Sequence, residues 1–157
     1  MTGISPHEHL FTPVAEEGLS LVAATDHPLA ERQSVPFKAP LAYPWILQPR
    51  GSPMREVMEQ EFRSPQAPLP QGLIETASIL TTTNLIAQTQ MIAVIPHTIA
   101  SRYEMHGLLR SLPYALRHRL EAFGSIGHDR PASSPAARPL ALLHEAASPE
   151  LGVQARV

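Results

Sequence analysis

The sequence predicts an α/β fold built on a largely parallel sheet. Three observations carry that expectation: short apolar runs of strand length, helix-start signals after several of them, and frequent prolines that keep each element short. Seventeen prolines in 157 residues argue against a protein of long helices.

Residues 1–18 are polar and turn-rich and read as a loose lead-in. Leu19–Ala24 is a short apolar run stopped by Asp26-His27-Pro28, which reads as a buried strand ending in a turn. Tyr43–Gln48 is the next strand, and Pro49-Arg50-Gly51 is a turn. Ser52-Pro53 starts a helix, with serine as N-cap and proline in the first helical position. Met54, Val57, Met58 and Phe62 then recur at helical spacing. A Pro/Gln/Gly loop over residues 64–72 leads to a strand at Leu73–Ala77. Thr81-Thr82-Thr83-Asn84, before Leu85, Ile86 and Met91, marks another helix N-terminus. Ile92–Pro96 is a strand with a proline stop, and His97–His106 reads as a helix closed by Gly107. Leu108–Leu112 and Leu120–Ile126 are the last strands. Ser134-Pro135 opens a final helix to Ala147, with Pro139 delaying or kinking its start. A central sheet built from Trp45–Gln48, Leu73–Ala77 and Ile92–Ile95, with helices packed on it, is expected.

Composition narrows the function. Hydrophobic residues at 43% and charged residues at 17% are globular values, enough for one domain or one and a half small ones. A net charge of −2 and a pI near 6.4 give no footprint for phosphate backbones. The absence of cysteine excludes disulfides, thiolate catalysis and cysteine-bound metal. No apolar run approaches the roughly 20 residues of a membrane span, and Met1–Pro13 lacks the pattern of a secretory signal, so a cytoplasmic protein with no membrane partner is expected.

The order of motifs resembles that of a known family. Asp26-His27-Pro28-Leu29-Ala30 follows an apolar strand. Tyr43-Pro44-Trp45-Ile46 comes next with Gly51-Ser52-Pro53-Met54-Arg55, then Leu85 to Pro96, Gly107-Leu108-Leu109, and Asp129-Arg130-Pro131 with Ser134-Pro135-Ala136-Ala137. This succession is similar to the HPLA turn, the S-x-x-R loop and helix, the I-A-V-I-P strand and the closing elements of the effector-binding domain of LysR-type transcription regulators. The stretch Thr81–Leu85 looks most like the branch that regulates sugar-binding proteins and aromatic-acid catabolism. The resemblance covers roughly residues 17–147; its motifs are individually weak and specific only in this order.

The resemblance implies a type 2 periplasmic-binding-protein-like fold, in which two α/β subdomains sandwich a small effector and binding alters how a tetramer holds DNA. It also sets departures. No winged helix-turn-helix or linker helix is recognisable. The expected organisation is a lead-in at 1–18, a partial effector-binding domain at 19–147 and a tail at 148–157. Within the domain, 26–108 form one complete α/β subdomain, and 109–147 are the last strand and helix of a second. Gln88-Thr89-Gln90 stands where many members carry a glycine pair.

In doubly wound folds ligands bind beyond the carboxyl ends of the strands, where helix N-termini point. Two junctions are therefore the candidate site: Gln48 to Ser52, and Leu80 to Asn84. Gln48, Arg50, Gly51 and Ser52 would cradle an anionic effector, or form an ordinary turn with a capping serine. Thr82 and Thr83, with Thr81 and Asn84, would line the same cleft, or one would cap the helix while the others are merely polar. Arg55 reads as structural, paired with Glu59 at i,i+4. His7-Glu8-His9 has chelate spacing but no third ligand, and the other histidines are scattered, so no metal or cofactor is expected. Arg117-His118-Arg119 reads as a solvated edge. Nucleophile elbows, phosphate loops and paired carboxylates are absent from the sequence, so no catalytic residue is assigned.

The expected function is that of a non-enzymatic effector-binding domain sensing a small organic acid or sugar-like molecule. It would form a homo-oligomer or associate with a full-length regulator, without contacting DNA itself. An interaction-only fragment and a cytosolic small-solute-binding protein are the alternatives. Poor solubility or self-association is expected of the chain alone, because Phe123, Ile126, Leu140, Leu142 and Leu143 would leave apolar surface exposed. A gel shift with this chain should show no sequence-dependent binding to duplex DNA; nanomolar, sequence-selective retention would contradict the charge argument.

Overall fold

Strands that are apolar on both faces need helices on both sides of their sheet, and this requirement organises the chain. The structure, a computed structural model, describes residues 9–68, 70 and 72–128. In chain order the elements are β1 (His9–Ala15), β2 (Leu19–Ala23), β3 (Trp45–Leu47), α1 (Pro53–Arg63), β4 (Leu73–Glu75), α2 (Ile79–Gln88), β5 (Ile92–Pro96), α3 (His97–Met105), β6 (Arg110–Ser111) and β7 (Phe123–His128), with a 3-10 turn at Pro40–Ala42. The chain divides into two compact units, residues 17–120 and residues 1–16 with 121–157.

Residues 17–120 hold a five-stranded sheet of order β4-β3-β5-β2-β6. The three strands expected to build it are there, β3 lying parallel to both β4 and β5, with β4 at the edge of the sheet. The sheet is mixed rather than largely parallel, because β2 runs antiparallel to β5 and to β6. Only the crossovers through α1 and α2 deliver parallel partners; α3 leads into β6, which returns antiparallel beside β2. Leu109–Leu120, expected with the closing strand, belongs instead to the five-stranded unit.

Side chains of the buried strands alternate between two apolar clusters. Trp45, Leu47, Ile92, Val94, Leu21 and Ala23 pack with Met58 and Phe62 of α1. Ile46, Ala93, Ile95 and Val22 face the other way, against Ile86 of α2 and Ala100 of α3. Trp45 is held in place by its indole N–H, which donates to the Pro40 carbonyl at 2.9 Å, and by the Phe62 ring 5.2 Å away.

In the other unit, β1 pairs antiparallel with β7. The lead-in expected at 1–18 thus contains a strand, in which Pro13 is accommodated because the register shifts between Pro13 and Ala15. The strand expected at Leu120–Ile126 lies at Phe123–His128, and Phe123 is 50% exposed. The Ile126 side chain, the final helix expected from Ser134, with Leu140, Leu142 and Leu143, and the pair His7-Glu8 lie outside the described residues.

Two buried polar groups pin the irregular segments of the larger unit. His27 is fully buried; its Nδ1 accepts from the Leu29 N–H at 3.1 Å, and its ring lies 4.4 Å from that of Tyr43. Nε2 faces the Gln90 backbone carbonyl without a hydrogen bond of good geometry. Burial holds the His27 pKa below the ordinary 6.5, against smaller opposing effects of Gln90 and Asp26. Glu61 is equally buried and gathers the segment after β6: it accepts from the Tyr114 hydroxyl, the Arg117 and His118 amides and the His118 ring. Burial pushes its pKa up, but these hydrogen bonds outweigh burial and leave it below the ordinary 4.5. Burial of the Tyr114 hydroxyl, and after it the contact with Glu61, raise the Tyr114 pKa.

The two groups act in separate pH windows. Below 6.5 the unfolded chain protonates His27 while the fold resists, so its contribution is full above that value and declines as pH falls. Glu61 contributes above 4.5 and loses its contribution as pH falls through its lowered folded value. Chemical denaturation across pH 4–8 should show stability falling below about pH 6.5. His27→Asn, whose carbonyl can replace Nδ1 as acceptor, should flatten that upper limb and leave the lower one. A slope unchanged by the substitution would show that His27 is not its source.

Candidate functional site

The carboxyl ends of β3, β4 and β5 lie at one edge of the sheet, because the three strands are parallel, and a helix follows each. β3 opens into Gln48-Pro49-Arg50-Gly51-Ser52. Gly51 has φ of 85°, a left-handed conformation that costs glycine little and lets the chain turn sharply into α1. Ser52 is the N-cap, as its position before Pro53 predicts; its Oγ accepts from the Arg55 N–H at 3.2 Å.

The second junction differs from expectation. α2 begins at Ile79 with Ser78 as N-cap, Ser78 Oγ accepting from the Thr81 N–H at 3.2 Å. The junction is therefore Thr76-Ala77-Ser78, and Thr81–Asn84 lie inside the helix. Thr82 and Thr83 are buried, and their hydroxyls donate back to helix carbonyls: Thr82 to Ser78 at 3.0 Å, Thr83 to Ile79 at 3.0 Å. The cue was available: Ile79, Thr82, Thr83 and Ile86 already form one helical face, so the periodicity starts before the threonine run.

Between these junctions lies a small, shallow cleft, partly open to solvent. Ile46, Val94 and Ile95 form its apolar floor; Gln48, Thr76 and Thr82 bring hydrogen-bonding groups to it. Of the residues singled out from the sequence, the structure thus brings Gln48 and Thr82 together. Ser52 is half-buried, Arg50 and Gly51 are exposed on the loop leading to it, and none of the three lines the cleft; nor does Thr83. Thr76, which the sequence reading did not select, does. Arg55 pairs with Glu59 as expected, Nε donating to Oε1 at 2.9 Å, and it also reaches Glu75 and the Gln48 carbonyl.

The third helix of this edge has a different cap. Pro96 precedes α3 and offers no side-chain acceptor; Glu17 supplies one instead, taking the Thr98 N–H at 3.2 Å and the Thr98 hydroxyl at 2.9 Å. Glu17 is distant in sequence, so no local pattern announces it. Beside it, Ser20 Oγ and His97 Nδ1 lie 2.9 Å apart. The other ring nitrogen faces Ser101 Oγ at 3.4 Å rather than a carboxylate, so nothing orients this imidazole as a base. Among the described residues no His, Asp or Glu cluster could hold a metal ion, and no helix is long and apolar enough to cross a membrane.

The fold and sequence are similar to those of known proteins. The family model described as the LysR substrate binding domain matches residues 2–148. The HTH-type transcriptional regulator GbpR of Azospirillum brasilense is 30% identical over 144 residues, which cover 90% of this chain and 42% of that protein. The chain therefore spans less than half the length of that relative. The effector binding domain of QuiR in complex with shikimate superposes with a TM-score of 0.72 at 16% identity, over 95% of this chain and 69% of that one. The regulatory domain of Synechocystis CcmR in complex with 2-PG gives 0.70 at 16% identity, over 94% and 70%.

The capping role of Ser52 can be separated from any role in binding. Ser52→Ala should destabilise the chain by about 1 kcal/mol, and Ser52→Gly by only a few tenths. Equal losses for both in urea denaturation would show that the hydroxyl does not cap α1.

Proposed function

This chain belongs to the LysR substrate-binding-domain family, and on that premise we propose that it senses a small carboxylate or polyol at the β3–α1 and β4–α2 junctions. The observation that carries the proposal is a depression with an apolar floor that gathers Gln48 from the β3–α1 loop, Thr76 from the β4–α2 junction and the first turn of α2. Helix N-termini favour negative charge. Gln48 and Thr76 supply directional hydrogen bonds to hydroxyls, and the floor takes the carbon skeleton. Arg50 and Gly51 form the outer rim, where a guanidinium can reach a carboxylate bidentately over a backbone with no side chain in the way. Thr82 contributes shape, its hydroxyl proton being committed to the helix.

Support for this ligand class comes from the structural neighbours, whose complexes hold shikimate and 2-PG, both small. We assign the chain a sensing role rather than catalysis, since the relatives it resembles are named transcriptional regulators. A regulator works where DNA is, so the reading carries a cytoplasmic location with it. Its own net charge of −2 leaves the phosphate contacts to another part of the assembly. Association with further copies or with a full-length regulator is the second role. It is favoured by Met105 and Leu108, which are 79% and 51% exposed around the C-terminus of α3.

Isothermal titration of the chain with a panel of organic acids and sugars, shikimate among them, tests the site. At least one should bind, and Arg50→Ala should weaken it by about ten- to a hundredfold, the loss expected for a charge-assisted hydrogen bond. His106→Ala, on exposed surface after α3, should leave affinity unchanged. Binding that survives both Arg50→Ala and Gln48→Ala would place the site elsewhere.

A further inference from the structure

We propose that Arg55 is the positioning residue of the effector site: its guanidinium ties the β3–α1 loop to the end of β4 and so fixes the spacing of the two junctions. The proposal deepens the effector-binding reading and rests on it, but its first readout needs no effector.

Arg55 is 1% exposed. A guanidinium is seldom buried this far without fixed partners, because removing it from water is costly. Here its nitrogens reach three elements. Nε donates to Glu59 Oε1 at 2.9 Å on its own helix, and Nη1 donates to the Gln48 carbonyl at 3.2 Å and to Glu75 Oε1 at 2.9 Å. Gln48 opens the first junction and lines the cleft. Glu75 ends β4, immediately before Thr76, which lines the cleft opposite and donates its N–H to the Leu47 carbonyl at 3.0 Å. One planar cation therefore links both walls, although it does not line the cleft itself.

Two features set this apart from an ordinary stabilising ion pair. Glu59 and Glu75 are 31% and 41% exposed, so solvent screens their attraction and an exposed arginine would serve α1 as well. Nη2 is buried and has no hydrogen-bond partner among the described residues, a cost to stability that a surface pair would avoid. What burial adds is geometry. The fork of N–H groups fixes directions toward Gln48, Glu59 and Glu75 at once, which the single point charge of lysine cannot do.

Residue-resolved amide hydrogen exchange on the whole chain tests this. The reporters are the Ser52 amide, bonded to the Pro49 carbonyl at 3.3 Å, and the Thr76 amide; Val94 in β5 is the internal reference. In Arg55→Lys, protection at Ser52 and Thr76 should fall by about ten- to a hundredfold while Val94 stays within about twofold, the size expected when one charge-assisted hydrogen bond is lost. Glu75→Gln changes only a partly exposed carboxylate, so it tests the link even if Arg55 variants fold poorly; it should lower Thr76 protection and spare Val94. Titration with shikimate adds the functional arm: where the parent binds it, Arg55→Lys should weaken binding with little change in melting temperature. Where the parent does not, the ligand reading fails for that probe and exchange alone decides the role of Arg55. Reporters that stay within twofold of the parent, or that fall by the same factor as Val94, would overturn the proposal.

Discussion

The structure of residues 17–120 depends on β3 being buried on both faces. Trp45, Ile46 and Leu47 are 2%, 2% and 3% exposed, so there is no solvent side to this strand. Its neighbours on both flanks are parallel, and parallel partners can be reached only through crossover helices. α1 must then cover the Trp45 and Leu47 face, and α2 with α3 the Ile46 face. The same constraint places the candidate site. Where a strand is enclosed on all sides, its carboxyl end is the place where the chain emerges and a ligand can approach backbone.

An interior this apolar makes its polar exceptions informative. His27, Arg55 and Glu61 are all almost fully buried, and each holds an irregular segment that apolar packing alone would leave loose. His27 braces the turn after β2, Glu61 gathers Tyr114 to His118, and Arg55 links the two junctions at the cleft. Glu61 is well satisfied by its donors, whereas His27 Nε2 and Arg55 Nη2 lack good partners. Unsatisfied buried donors are costly, so these two positions are where geometry has been kept at the expense of stability.

What the sequence disclosed followed the range of the interactions involved. β3, β5 and α1 were legible because apolar runs, a Ser-Pro helix start and helical spacing are all local signals. β1 was missed because its partner lies more than a hundred residues away and Pro13 argues locally against a strand. The direction of β2 and β6 was likewise invisible, since side-chain alternation says nothing about strand polarity. At the first junction the Ser52 cap was legible from the Ser-Pro pair, and of the residues selected there only Gln48 lines the candidate cleft. The second junction was placed one turn late because the threonine run outweighed Ser78, whose hydroxyl is the actual cap. Glu75 and Glu17 act across sequence distances that no motif covers.

The three helix N-termini at the sheet edge are not equivalent, and the difference bears on where an anion would go. α3 already has one: the Glu17 carboxylate takes both the amide and the hydroxyl of Thr98. An incoming carboxylate there would have to displace a charged group held by the same chain. α1 and α2 are capped instead by neutral serine hydroxyls, which satisfy one amide each without supplying charge. Glu56 stands in the first turn of α1, however, whereas the first turn of α2 has no acidic residue, so the positive end of α2 is the least neutralised of the three. The cleft takes its lining from the ends of all three strands, Leu47 and Gln48, Thr76 and Ala77, and Val94 and Ile95, and from Ile79 and Thr82 of α2. Under the effector-binding reading, the fold thus favours a small anion at the α2 N-terminus, because α1 and α3 each already have one of the chain's own carboxylates beside their first turn.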